Sequence, residues 1–277
     1  MMSTVDWREV PASGFRVPEG TSLPDLTAEL VELLGDADPV LRQDVALTVL
    51  TTWIDRGVYD DLLIGLGDGI ATGLLAVRPG GDGVFRRVGS ARALGRCIAR
   101  DSRRSLVPRS KVLEWGDRIA TWLLAERDLR THVPGKGWVQ AIAYGADALG
   151  ELAVSPHLGR AETRAVLEVL GDRVLAEVPF PWTGTEADRL AHAAVRLIRR
   201  SVLPLDTVED WAQRIGERAV AHRPGAGAPA PDAANADAFL RALYLVLALG
   251  SEPPSIRADL VLTLVGFLRE LHPGLLG

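Results

Sequence analysis

The chain has a single cysteine, Cys97, in 277 residues. A lone thiol cannot close an internal disulfide or build a cysteine zinc cluster, and such usage fits a reducing compartment. Lysine is almost missing, found only at 111 and 136, and the carboxylates outnumber the cations to leave a net charge of −5. Generic binding to nucleic acid or to an anionic membrane needs the opposite field, so neither partner is expected. No apolar run reaches the length of a membrane span, and the opening MMSTVDWREV lacks both the basic start and the apolar stretch of a secretory signal. The expected location is therefore the cytoplasm. Alternating runs of β-branched residues are missing too, which removes the sheet-based fold classes. Motifs that fix a reaction are equally scarce. The five histidines (132, 157, 192, 222 and 272) form no HExxH or paired ligand spacing, and there is no GxSxG elbow. GLGDG at 65–69 has no strand before it, and GKG at 135–137 lacks the rest of a phosphate loop. Neither a metal nor a cofactor is expected.

What the chain does have is helical periodicity. Ser22, with Pro24 just inside and Asp25 three positions on, makes a capped start, and Leu26, Leu30, Leu33 and Leu34 repeat at helical spacing until Gly35. Asp38 and Pro39 open a second helix that runs to Gly57. The same cadence predicts helices over 59–77, 84–101, 110–127, 137–154, 161–178, 185–202, 206–222, 234–249 and 254–271, with Asp206 and Glu209 as a further capping box. Gly- and Pro-rich breaks fall at 78–83, 133–137 and 222–232. The expected fold is all-α, a HEAT- or armadillo-like α-solenoid of about eleven helices in antiparallel pairs; a compact helical bundle is the alternative. Residues 1–20 read as an irregular lead-in whose Trp7 and Phe15 are able to dock on the body, and residues 21–277 as a single helical-repeat domain.

One stretch, Glu126 to Pro156, holds unusual polar residues at fixed spacing. Asp128 and Arg130 precede a Pro-Gly turn, Trp138 is expected to open a helix, and Gln140, Tyr144 and Asp147 then fall at i, i+4 and i+7 on one face. Such a face can be the wall of a ligand pocket, with Asp128 or Asp147 as a general acid or base. It can equally be a buried network in which Asp128, Arg130 and Asp147 satisfy one another. Glu186 and Arg189 are spaced as an i, i+3 salt bridge. Trp115 and Trp122, seven apart, read as a packing stripe. Arg100, Arg103, Arg104, Arg109 and Lys111 make the one basic cluster, expected as a solvated surface turn.

Several of these residues carry a resemblance. The series Asp128, Arg130, Gly137, Trp138, Gln140, Ala141, Ala143, Tyr144 and Asp147 is followed by GTEADRLAHA, with Glu186 and Arg189, and by NADAFLRALYLVL, with Asn235, Phe239, Leu240, Arg241 and Tyr244. In this order, over about residues 30–250, the chain resembles a bacterial family catalogued as domain of unknown function 2785. That resemblance brings no activity. The family pattern has His-Ala-x-Ala-His-x-x-Asp where this chain has Gln140 and Tyr144 in place of the two histidines, so a metal site is not expected here. Arg130, Trp138, Gln140, Tyr144, Glu186, Arg189 and Asn235 are the candidate ligand-binding residues.

The expected function is a non-enzymatic binding scaffold that presents a concave surface or pocket to a protein segment or a small molecule. One alternative is an enzyme acting on an apolar or aromatic small molecule in a pocket on the 137–154 helix. A second is a helical-repeat DNA-binding or base-excision protein. Oligomeric state is not legible in the sequence.

Overall fold

In the computed structural model, residues 5–77, 81–221 and 230–276 are described. Residues 222–229 of the expected loop at 222–232, part of that at 78–83 and the last residue of the helix expected at 206–222 lie outside them; Pro231 and Asp232, expected in the loop, already belong to a helix. The lead-in is more ordered than its composition suggests. A short helix, α1 (Glu9–Ala12), places Val10 in the core. Trp7 packs on Trp53 with ring centroids 6.2 Å apart and donates its indole N–H to Glu29 at 2.9 Å. The next helix, α2 (Leu23–Leu33), begins where its cap predicts, the Ser22 hydroxyl accepting the Asp25 N–H at 3.3 Å.

The segment after Asp38 departs from expectation. Asp38 does accept the Val40 N–H at 2.9 Å, but the first two turns, Val40–Leu47, are a π-helix, and only Thr48–Arg56 is α-helical, as α3. The wider turn carries Arg42 inward over the Phe85 ring at 3.9 Å. Its guanidinium also donates to the carbonyls of Asp36, at 2.6 Å, and Lys136. A strongly buried cation is thus wrapped in acceptors and an aromatic face.

Then follow α4 (Leu63–Thr72), α5 (Gly83–Arg104) and α6 (Arg109–Ala125), a small hairpin of β1 (His132–Val133) and β2 (Gly137–Trp138), and α7 (Ala141–Ala153). The chain closes with α8 (Arg160–Leu175), α9 (Glu186–Ile198), α10 (Leu205–Val220), α11 (Pro231–Leu249), α12 (Arg257–Leu271) and α13 (Pro273–Leu276). The fold is all-α apart from that hairpin, in which His132 pairs with Trp138 and Val133 with Gly137. The hairpin replaces the expected first turn of α7. Gly135 and Gly137 sit at φ 74° and 86° and close the turn, and Gln140, at φ 46°, is a left-handed cap rather than a helical residue. The capping box expected at Asp206 and Glu209 is not formed; α10 starts one residue earlier, and Asp206 accepts the Thr207 N–H at 2.6 Å.

Helices α3, α5, α7, α9 and α11 pack neighbour to neighbour in one row, and α4, α6, α8, α10 and α12 in a second. Contacts along the first row rise together in number, Arg92 with Tyr144, Gly95 with Ala148, Asp147 with Arg189 and Glu151 with Arg196. These helices therefore run parallel, and the intervening ones return between them. Burial unites the rows in one hydrophobic cluster that extends from Trp7 to Leu268. Trp115 and Trp122 are both inside it, as their spacing predicts. Cys97, also without exposure, lies in the middle of α5, where burial pushes its thiol pKa up.

Candidate functional site

Small residues set the floor of the site. A side-chain carbon on Gly95 of α5 would lie 3.1 Å from the Ala148 backbone on α7, and one on Gly150 would lie 3.6 Å from the side chain of Ala193 on α9. Such residues let the helix backbones come close and leave space above them. Long polar side chains rise around that space. The result is a cleft of about 460 Å³ lined by the end of the π-helix and by α3, α5, α7 and α9, with no residue from the second row.

Three ion pairs cross between neighbouring helices at its walls. Arg96 meets Asp55 at 2.5 Å, Arg189 meets Asp147 at 2.8 Å, and Arg196 meets Glu151 at 3.3 Å. A fourth arginine, Arg92, lines the same cleft and differs. Its guanidinium carbon lies 4.3 Å above the centre of the Tyr144 ring, and it makes no hydrogen bond to any described residue. Burial pulls its pKa below the usual value, opposed by the charge of Asp147. Asp147 moves the other way: burial raises its carboxyl above the ordinary range despite the pull of Arg189, Arg92 and His192. Burial together with Arg196 lowers the pKa of His192, which favours the neutral imidazole. The cleft thus offers a guanidinium edge, a neutral imidazole and a carboxyl group with a raised proton affinity, a set suited to holding a polar ligand.

The residues singled out in the sequence separate into three places. Tyr144, Asp147 and Arg189 belong to the cleft, Tyr144 as the platform under Arg92. Asp128 and Arg130 pair with each other, Nε and Nη2 of the arginine reaching the carboxylate at 2.9 and 2.5 Å, at a second opening that Phe180 also lines. Asp147 is not part of that network, contrary to the expected mutual satisfaction of Asp128, Arg130 and Asp147. Trp138, 50% exposed, stands on the hairpin with its ring edge-on to His132 at 5.0 Å, and its carbonyl accepts from Gln43 at 3.0 Å. Neither Trp138 nor Gln140 lines the cleft. Glu186 and Arg189 do not form their expected pair. Glu186 is buried and accepts the Gly184 N–H at 2.9 Å, while Arg189 crosses to α7. Asn235 is a buried brace, accepting the Trp182 N–H at 2.8 Å. The basic cluster is not one loop: Arg100 and Arg103 belong to α5 and face Asp60 and Asp55, Arg109 faces Glu162, and Lys111 faces Asp68 and Glu114.

Sequence reading missed Arg92 and Arg96, and it placed His192, near Arg189 in the cleft lining, only among five scattered histidines. A signal exists in the spacing, since Arg92 and Arg96 are four apart on α5, Asp147 and Glu151 four apart on α7, and Arg189 and Arg196 seven apart on α9. It also missed Glu126, which is 5% exposed. Its carboxylate takes Nε and Nη2 of Arg87 at 2.7 and 2.9 Å, the Trp122 indole N–H at 2.8 Å and the backbone N–H groups of Arg127 and Asp128 at 3.0 Å. These bonds outweigh the burial that would raise its pKa and hold it below the usual value.

Among the described residues no helix is long and apolar enough to cross a membrane, and no group of three or more His, Cys, Asp or Glu side chains is arranged to hold a metal ion. No curated protein and no solved structure matches the chain. A family model does: residues 75–245, more than half of the chain and the part that contains α5, α7 and α9, match the protein of unknown function family (DUF2785), and the chain belongs to that family.

Proposed function

We propose that this chain is a non-enzymatic binding protein of the HEAT-like helical-repeat kind, one domain acting in the cytoplasm, whose cleft between α3, α5, α7 and α9 holds a small molecule. The observation that carries this reading is the cleft itself. Its volume of about 460 Å³ falls in the range of small-ligand sites, roughly 300–1,000 Å³. Its polar side chains come from helices fixed by packing, so the site is formed before a ligand arrives. Against the nucleic-acid reading, four of the five residues of the basic cluster, Arg100, Arg103, Arg109 and Lys111, each face a carboxylate.

The test uses Thr51, a partly exposed residue on the cleft wall. Thr51→Trp should fill the opening and leave the core intact. In a thermal-shift screen of metabolites, a ligand at a hundredfold excess over its Kd stabilises the folded state by about 2.7 kcal/mol. At least one compound should raise the melting temperature of the unaltered chain and fail to raise that of Thr51→Trp. Compounds that shift both proteins equally bind elsewhere and would sink the cleft as the site.

One observation favours a second reading, an enzyme. Asp147 lines the cleft, and burial raises its pKa above the ordinary value, a shift in the direction that suits a general acid or base. Under that reading Asp147→Asn abolishes turnover of a bound compound while its affinity survives; retained turnover would exclude Asp147 as the acid or base.

A further inference from the structure

Resting on the cleft reading above, we infer that the ligand carries a carboxylate group and that Arg92, with its guanidinium laid on Tyr144, is the residue that receives it. Four arginines, at 92, 96, 189 and 196, line the cleft against three carboxylates, at 55, 147 and 151. Three of those arginines meet a carboxylate of a neighbouring helix, Arg96 sharing Asp55 with Arg103, which lies outside the cleft. Arg92 is the one left over. None of its nitrogens is both buried and unpartnered, so its donors face water, which an incoming anion can replace without breaking a bond inside the protein. The Tyr144 ring centre lies 4.3 Å from the guanidinium carbon and holds the group at the cleft, where its planar fork of N–H donors matches a flat, two-oxygen acceptor.

Charge favours carboxylate over phosphate. The cleft has one positive charge beyond its internal pairs, which a single carboxylate neutralises. A phosphate monoester would bring a second negative charge close to Asp147, whose own charge is already committed to Arg189. His192, on the α9 side of the cleft and without a hydrogen-bond partner among the described residues, adds a second donor, a ring nitrogen, to the lining.

The probes are lactate, butyrate and benzoate, their neutral amides, and inorganic phosphate, measured by titration calorimetry. The proteins are the unaltered chain, Arg92→Met, Arg92→Lys and Thr51→Trp. Methionine keeps a long apolar stem against Tyr144 and removes the charge, and circular dichroism checks that each variant is folded. At least one carboxylate should bind the unaltered chain, lose about tenfold or more in affinity in Arg92→Met, recover part of it in Arg92→Lys, and bind better than its amide. If acid and amide bind alike, or Arg92→Met changes nothing while Thr51→Trp blocks binding, the cleft stands and the carboxylate inference falls. Preference for phosphate also overturns it. If no probe binds any protein the inference is rejected, while the cleft itself is still judged by the wider metabolite screen.

Discussion

Glu126 carries a charge with almost no exposure, and five donors surround it. Removing the carboxylate leaves the Arg87 charge without its partner, so Glu126→Ala should cost about 3–5 kcal/mol, read from urea unfolding at neutral pH. The pH dependence has a fixed sign. The folded pKa lies below the ordinary value of 4.5 that the unfolded chain keeps, so the unfolded state binds the proton first as pH falls. The stability from Glu126 is complete above about pH 4.5 and is lost as pH drops through the lower folded value. Glu126→Gln should therefore start less stable at neutral pH and show a shallower loss on the acid side; an unchanged acid slope would remove Glu126 as a source of the acid sensitivity. None of this is legible in the sequence, because Arg87 lies 39 positions away and meets Glu126 only through the packing of α5 on the end of α6.

Among the elements, helix starts and stops were the most legible part of the chain. Ser22 caps α2 through its own hydroxyl, and Gly57 ends α3 in the left-handed conformation that glycine adopts without strain. Local chemistry decides such features, and local chemistry is visible. The π-helix at 40–47 and the hairpin at 132–138 were not visible. Their geometry comes from Arg42 and Gln43 reaching carbonyls of Lys136 and Trp138, more than ninety positions on. The same holds for the cleft: Tyr144 and Asp147 could be placed on one face from spacing alone, but not the choice of Arg189 for Asp147 over Glu186. A related contrast governs Gly67 of α4. Helix propensity alone predicts that Gly67→Ala stabilises the protein by about 1 kcal/mol. Packing predicts the reverse, since the new carbon would lie 2.2 Å from the buried ring of Trp115. Because the ring has no room to move, the net result should be a loss of about 1–3 kcal/mol in thermal or urea unfolding, and a gain would mean that α4 and α6 can separate without penalty.

Across the whole molecule, the all-α fold was legible because the apolar period runs nearly the length of the chain with turn residues between segments. The two rows were not, since which helices touch depends on contacts that no period encodes. One hydrophobic cluster joins them, from Trp7 near the start to Leu268 near the end. Unfolding should accordingly be a single cooperative event: in urea, tryptophan fluorescence and far-ultraviolet circular dichroism should give coincident transitions. Two separated transitions would instead divide the rows into segments that melt independently.

The lone thiol in the middle of α5 gives that event a built-in clock. Cys97 is shielded from solvent and held protonated, so a thiol reagent can modify it only in molecules whose central helix has come away from its neighbours. With reagent in excess, the labelling rate becomes the opening rate of the molecule's middle, timed by an atom that the chain already carries.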